Sequence, residues 1–178
     1  MNTKMIRRLL YISLGLVLLS ACGGGGGNGA PQTTTAVITL SAETTGTIPA
    51  NTVIAGYDVT INLPDGVTVA SAAPPAVDDG VVAGTGSGAE VGTSISASFA
   101  AAAGSTPAKL HIVLISPKAN GIAAGKFCTV TCVIANGHAP SASDFEQPVF
   151  TVSGFNTNTS STVDLTTEMS LTAIAVVF

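Results

Sequence analysis

The sequence predicts an all-β domain, and three observations carry that prediction. Apolar and polar residues alternate with a period of two along most of the chain beyond residue 35. The alternating segments are short and are separated by stretches rich in Gly, Pro, Asn and Ser. After the N-terminal apolar run, nothing holds a 3.6-residue period for three turns.

The strand series opens with AVITL, Ala36 to Leu40. In GYDVTINLPDG, Tyr57, Val59, Ile61 and Leu63 form one face against Asp58, Thr60 and Asn62, the mark of a half-buried strand. Pro64-Asp65-Gly66 supplies a turn, after which Val67 and Val69 resume the alternation. In EVGTSISASF, Val91, Ile95, Ala97 and Phe99 face one way and Gly92, Ser94, Ser96 and Ser98 the other. In KLHIVLIS, Leu110, Ile112 and Leu114 form one apolar face, while His111, Val113 and Ile115 make a second face that is nearly as apolar. KFCTVTCVI, PVFTVSGF and SLTAIAVVF complete the series, and turn-rich segments such as SAAPPAVDDG and SPKANGIAAGK divide it. Eight or nine strands of this kind are what a two-sheet sandwich requires.

Ahead of the strands, Lys4, Arg7 and Arg8 form a basic head and LLYISLGLVLL, Leu9 to Leu19, an apolar core of signal-peptide length. That run is shorter than the roughly 20 apolar residues a membrane-spanning helix needs. It ends in Leu19-Ser20-Ala21-Cys22, which resembles a bacterial lipobox. The resemblance implies cleavage before Cys22, a diacylglycerol on its thiol and frequent acylation of the new amino group, palmitate being the familiar chain. Each buried methylene contributes about 0.8 kcal/mol, so two or three chains hold a protein to a membrane where one releases it. Residues 1–21 then read as a lipoprotein signal, 22–35 as a lipid-anchored tether begun by Gly23 to Gly27, and 36–178 as one β-sandwich domain. The location implied is the cell envelope, with Gly23 rather than Asp after the cysteine pointing to the outer membrane.

Cleavage there removes every Arg and leaves Lys109, Lys118 and Lys126 against all ten acids, a formal charge of −7. Nucleic acid is excluded as a partner, because its binding needs clustered Lys and Arg. Cys128 and Cys132 share a strand face with Val130 and Ile134, opposite Phe127, Thr129, Thr131 and Val133. Four residues of extended strand separate their Cα atoms by about 13 Å, beyond the roughly 7 Å limit of a disulfide. A lone C-x-x-x-C on a strand also lacks the turn that gathers zinc ligands. Both cysteines therefore read as small core hydrophobes, with a redox or intermolecular role as the alternative.

GYDVTINLPDGVTV, KLHIVLIS, the loop ending in Gly125, KFCTVTCVI and PVFTVSGF…LTAIAV, in that order and spacing, resemble the cohesin domain. The resemblance implies an immunoglobulin-like, nine-stranded jelly-roll sandwich, related in fold to some carbohydrate-binding modules, whose family docks a dockerin partner. It also implies a docking face on the sheet holding His111, Val113 and Ile115, beside Thr129 and Thr131 on the following strand. A cover over these residues by the long loop 71–90 is the alternative.

No residue set announces a reaction, and no catalytic residue is assigned. His111 and His138 lack a Cys or carboxylate at a catalytic spacing. Asp78-Asp79 and the Asp144 and Glu146 pair are carboxylate pairs such as a glycosidase needs across its cleft, but adjacent acids in turns are common without chemistry. Asp164, Asn156 and Asn158 offer oxygen ligands for a structural calcium, but without an ordered D-x-D-x-D loop. No metal or other cofactor is expected. The reading is a non-enzymatic binding or assembly module with a protein partner, dockerin-like or another surface protein. A carbohydrate-binding module is the alternative, weakened by the absence of Trp and by the burial expected for Tyr57. A structural component of the envelope is the third reading.

Overall fold

The computed structural model describes residues 34–145 and 147–178. Cys22 and the signal and tether residues up to 33 lie outside the described residues, as does Glu146. Ten strands run in order: β1 (Thr34–Thr44), β2 (Thr52–Leu63), β3 (Val67–Thr68), β4 (Val82–Gly84), β5 (Ser94–Ala100), β6 (Ala108–Ile115), β7 (Gly125–Ile134), β8 (Val149–Asn156), β9 (Ser161–Asp164) and β10 (Met169–Val177). The only helical pieces among the described residues are 3-10 turns at Gly86–Ala89, Ala142–Asp144 and Thr166–Glu168.

All pairings are antiparallel and build two sheets. The first runs β10-β1-β7-β3, with β4 also on β7, and the second runs β5-β6-β2-β8-β9. Alternation decides what lies between them. Ala36, Ile38, Leu40 and Ala42 of β1 are fully buried, as are Leu110, Ile112 and Leu114 of β6, and Tyr57, Val59, Ile61 and Leu63 of β2 are at most 2% exposed. These residues join one apolar core between the sheets, a β-sandwich in which every long strand contributes its alternate residues. The two short strands β4 and β9 have no counterpart in the sequence reading, since three or four residues are too few to display a period.

Three local departures from strict alternation matter. Phe127, expected beside Thr129 and Thr131 on the outer face, is fully buried instead. Leu40 pairs with Cys128 but the next residue, Ser41, pairs with Lys126, so Phe127 is the extra residue of a β-bulge that rotates it inward. Its ring stacks on Tyr57 across the sandwich, with centroids 4.7 Å apart and planes 23° apart. A second bulge at Ala55 lies between Ile54 and Gly56 on β2. Val91, expected on the buried face of its strand, is 91% exposed, because β5 begins only at Ser94 after a turn in which Gly92 has φ +88°.

Gly88 shows why the segment before β5 is glycine-rich. A Cβ there would collide with the Phe127 carbonyl oxygen, so the Gly86–Ala89 turn lies directly on the bulge. Thr85 N–H donates to that carbonyl at 3.0 Å and satisfies it.

Phe127→Ala removes a buried ring that the stack and the bulge hold in place. It should destabilise the domain by about 3–5 kcal/mol in chemical denaturation, whereas Thr131→Ala on the exposed side of the same strand should cost under about 0.5 kcal/mol. Equal effects would contradict the inward rotation of Phe127.

Candidate functional site

On β6, burial of Leu110, Ile112 and Leu114 forces the alternate side chains onto the outer face of the β5-β6-β2-β8-β9 sheet. His111 and Val113 are half-buried there and Ile115 is 53% exposed. Cross-strand register supplies their neighbours. Val113 lies between Ser96 of β5 and Asp58 of β2, and His111 lies between Ser98 and Thr60. Thr151 of β8 continues the Asp58 row and Val149 the Thr60 row, the latter 70% exposed. The face is a band of small hydroxyls around a short apolar strip.

His111 Nε2 lies 2.7 Å from Asp58 Oδ1, the one ionic contact of this face among the described residues. The side chains are 43% and 53% exposed, so the pair remains open to water and contributes orientation more than stability. At the Ile115 end the strip runs into an open cleft of about 220 Å³ lined by Val53, Ala55, Ser116, Pro117, Lys118 and Phe155. Bulged Ala55 contributes to the lining of this cleft, and Phe155 is 38% exposed. Lys118 Nζ reaches Glu90 at 3.0 Å beside it.

The loop 71–90 does not lie across this strip. Its first part runs along the β5 edge, where Ala76 bridges Ser98 and Phe99 N–H donates to the Pro75 carbonyl at 2.8 Å. Its last part crosses to the other sheet, where β4 pairs with β7.

Thr129 and Thr131 are not beside His111, Val113 and Ile115. They belong to β7, in the β10-β1-β7-β3 sheet, and pair there with Thr39 and Val37. The connection from β6 to β7 crosses from one sheet to the other, so the five residues expected to form one face are divided between the two sheets. The neighbours that do complete the β6 face, Asp58 and Thr151, are strand-alternate residues of β2 and β8. Asp58 stood out in the sequence only as an outward position.

The remaining polar candidates bond within their own turns or, for the Asn156 amide, to Ala50 and Thr52. Asn156 Oδ1 accepts from the N–H groups of Asn158 and Thr159, at 3.0 and 3.1 Å, and Asp164 Oδ1 accepts from Thr166 N–H at 2.9 Å. Asp144 Oδ2 accepts from the N–H and hydroxyl of Ser141, which hold its carboxyl below the usual carboxylate range. Asp164 is lowered in the same direction by Thr166. His138 Nδ1 is 3.6 Å from Asp65 Oδ2, with its ring against Gly66 at the opposite end of the sandwich from the cleft. Among the described residues no group of three or more His, Cys, Asp and Glu could hold a metal ion. Cys128 and Cys132 are free and fully buried, and burial pushes both thiols from 9 up to about 12.

Comparison with protein-family models, with curated proteins and with solved structures finds no match.

Burial likewise raises the Tyr57 phenol from 10 to about 12, and its hydroxyl has no hydrogen-bond partner among the described residues. All three groups bind their protons more tightly in the folded chain than in the unfolded one. Their contribution is complete below pH 9 and falls as pH rises towards 12, from 9 for the two thiols and from 10 for the phenol, by up to about 1.4 kcal/mol per pH unit for each group. At neutral pH a thiol reagent should leave Cys128 and Cys132 unmodified until the chain is denatured, and the midpoint of thermal unfolding should drop above pH 9. Rapid modification of the native thiols would contradict their place in the core.

Proposed function

We propose that the chain is a lipid-anchored, non-enzymatic binding module of the cell envelope that docks another protein through the outer face of the β5-β6-β2-β8-β9 sheet. The observation that carries this reading is the strip on β6, uncovered among the described residues, where Ile115 is exposed and Val113 half-buried beside the His111–Asp58 pair. A strand apolar on both faces in a weakly charged, hydroxyl-rich sheet has the composition of an interface centre with a polar surround. The order and spacing of the strand patterns, together with the two-sheet sandwich, support a cohesin-like jelly roll as the finer description of the fold. They support a dockerin-like or other surface protein as the partner. The Leu19-Ser20-Ala21-Cys22 sequence supports attachment to the outer membrane through diacylglycerol and palmitate on Cys22.

Polysaccharide is the second reading, and Phe155 beside its cleft is the observation that favours it. The Phe155 ring is 38% exposed at the cleft and could serve as a stacking platform, whereas Tyr57 is 1% exposed.

Two substitutions in the full-length chain, expressed in its own cells, test both halves of the proposal. Cys22→Ser should abolish incorporation of a clickable fatty acid and release the protein from the membrane fraction. Val113→Lys should leave the fatty-acid label and the thermal midpoint in place, because a surface substitution moves stability by under about 0.5 kcal/mol. It should also abolish co-purification of the protein partner recovered with the wild type. A label that survives Cys22→Ser contradicts the anchor. A partner that survives Val113→Lys contradicts the docking face, and retention on insoluble polysaccharide with no protein recovered transfers the function to the second reading.

A further inference from the structure

The two sheets have four edges, and three of them are blunted. The β5 edge is occupied by residues 73–76 through the Ala76–Ser98 bridge and the Phe99 N–H to Pro75 bond. The β9 edge is four residues long and carries Asp164. Beyond β7 lie only β3 and β4, of two and three residues. Shortness, charge and covering segments are the ordinary means by which sheet edges avoid joining other chains.

The fourth edge is neither short nor charged, and among the described residues no strand pairs with its outer side. Strand β10 is nine residues, MSLTAIAVV, without charge or proline, and its register with β1 runs unbroken from Ala36–Val177 to Thr44–Met169. On its outer face Ile174 is 60% and Val176 49% exposed. Phe178 N–H donates to the Thr35 carbonyl at 2.9 Å, which sets the phase of the ladder. In an antiparallel pair alternate residues bond to the same neighbour. Ile174, Val176 and Phe178 therefore bond to β1, while the N–H and C=O groups of Leu171, Ala173, Ala175 and Val177 point to the free side. The Ala142–Asp144 turn lies against β10, and among the described residues no hydrogen bond joins the two.

We propose that β10 is a self-association edge, through which two copies of this chain pair antiparallel about a two-fold axis and merge their β10-β1-β7-β3 sheets into one. Centring the axis on Ile174 sets Ala173 against Ala175 of the second copy and Leu171 against Val177 of the second copy, so that all four free residues find partners. Ile174 then faces its own copy in a non-hydrogen-bonded pair, the closer of the two antiparallel spacings. On the outer face Thr172 meets Val176 of the second copy. Two features favour a second copy over a foreign strand. The chain is acidic, with a formal net charge of −4, yet this strand is neutral, so no like charges are opposed across the two paired strands. Among the described residues each copy also has one open edge, so pairing closes at two and does not propagate into fibres.

The test is disulfide capture in the full-length chain in its native membrane. With Ile174→Cys the two facing Cα atoms lie about 4.5 Å apart, inside the disulfide range. Mild oxidation should therefore yield a species of twice the chain mass on non-reducing electrophoresis. The wild type and Thr39→Cys should give none, since Thr39 is the β1 neighbour of Ile174, one strand in from the edge. Ala173→Pro added to Ile174→Cys removes an edge N–H and should eliminate the doubled species while Cys128 and Cys132 stay protected from thiol reagents. A monomeric Ile174→Cys chain overturns the proposal. So do adducts only at masses other than double, which would mean a foreign strand, and equal capture by Thr39→Cys. Should the proline unfold the domain, the comparison of Ile174→Cys with Thr39→Cys decides alone.

Discussion

Everything in this domain hangs on β7, the strand that cannot give up either neighbour. It bonds to β1 on one side and to β3 and β4 on the other, and Thr131 N–H adds a bond to the Val81 carbonyl between them. An apolar strand so enclosed must bury one complete face, and Cys128, Val130, Cys132 and Ile134 do so with at most 1% exposure. The bulge then adds Phe127 to the same face and aims it at Tyr57 in the opposite sheet. That contact joins the two sheets through their largest buried side chains. The glycine-rich turn at Gly86–Ala89 follows from it, since a Cβ at Gly86 or Gly88 would meet the carbonyl oxygens of Lys126 and Phe127 at the bulge. The stack has a cost, because the Tyr57 hydroxyl is left buried without a partner among the described residues.

Once β7 is committed to the core, function is left to the outer faces, and these differ in kind. One carries the β6 strip with its His111–Asp58 pair and leads to the Phe155 cleft. The other is a Thr- and Val-rich surface that ends in the open edge of β10. A partner on the first face and a second copy on the edge of the other sheet would not compete for the same residues. The two free cysteines belong to neither outer face. They sit on one extended strand, too far apart to pair with each other, and the core closes over both.

The pattern of twos in the sequence was enough to recover the all-β class, the long strands and most of the core. Leu110, Ile112 and Leu114 were legible because alternation is a property of one strand. Phe127 was not, because a bulge is recognised only against the partner strand, and Val91 was not, because alternation continued by chance past the turn that begins β5. The larger error lay in treating Thr129 and Thr131 as neighbours of Val113. Periodicity says which face of a strand is buried but not which sheet the strand joins, and sandwich connections often change sheets. For the same reason the nearness of Asp58 to His111, a matter of register between β2 and β6, left no mark in the sequence.

Amide hydrogen exchange of the folded chain tests the central place of β7 most directly. If β7 is the strand on which both its neighbours depend, the amides of Val130, Thr131 and Cys132 exchange only through global unfolding, with protection matching the full unfolding free energy. The amides of β9, at the far edge of the other sheet, exchange earlier by local fraying. Protection in β7 no greater than that in β9 would contradict the account.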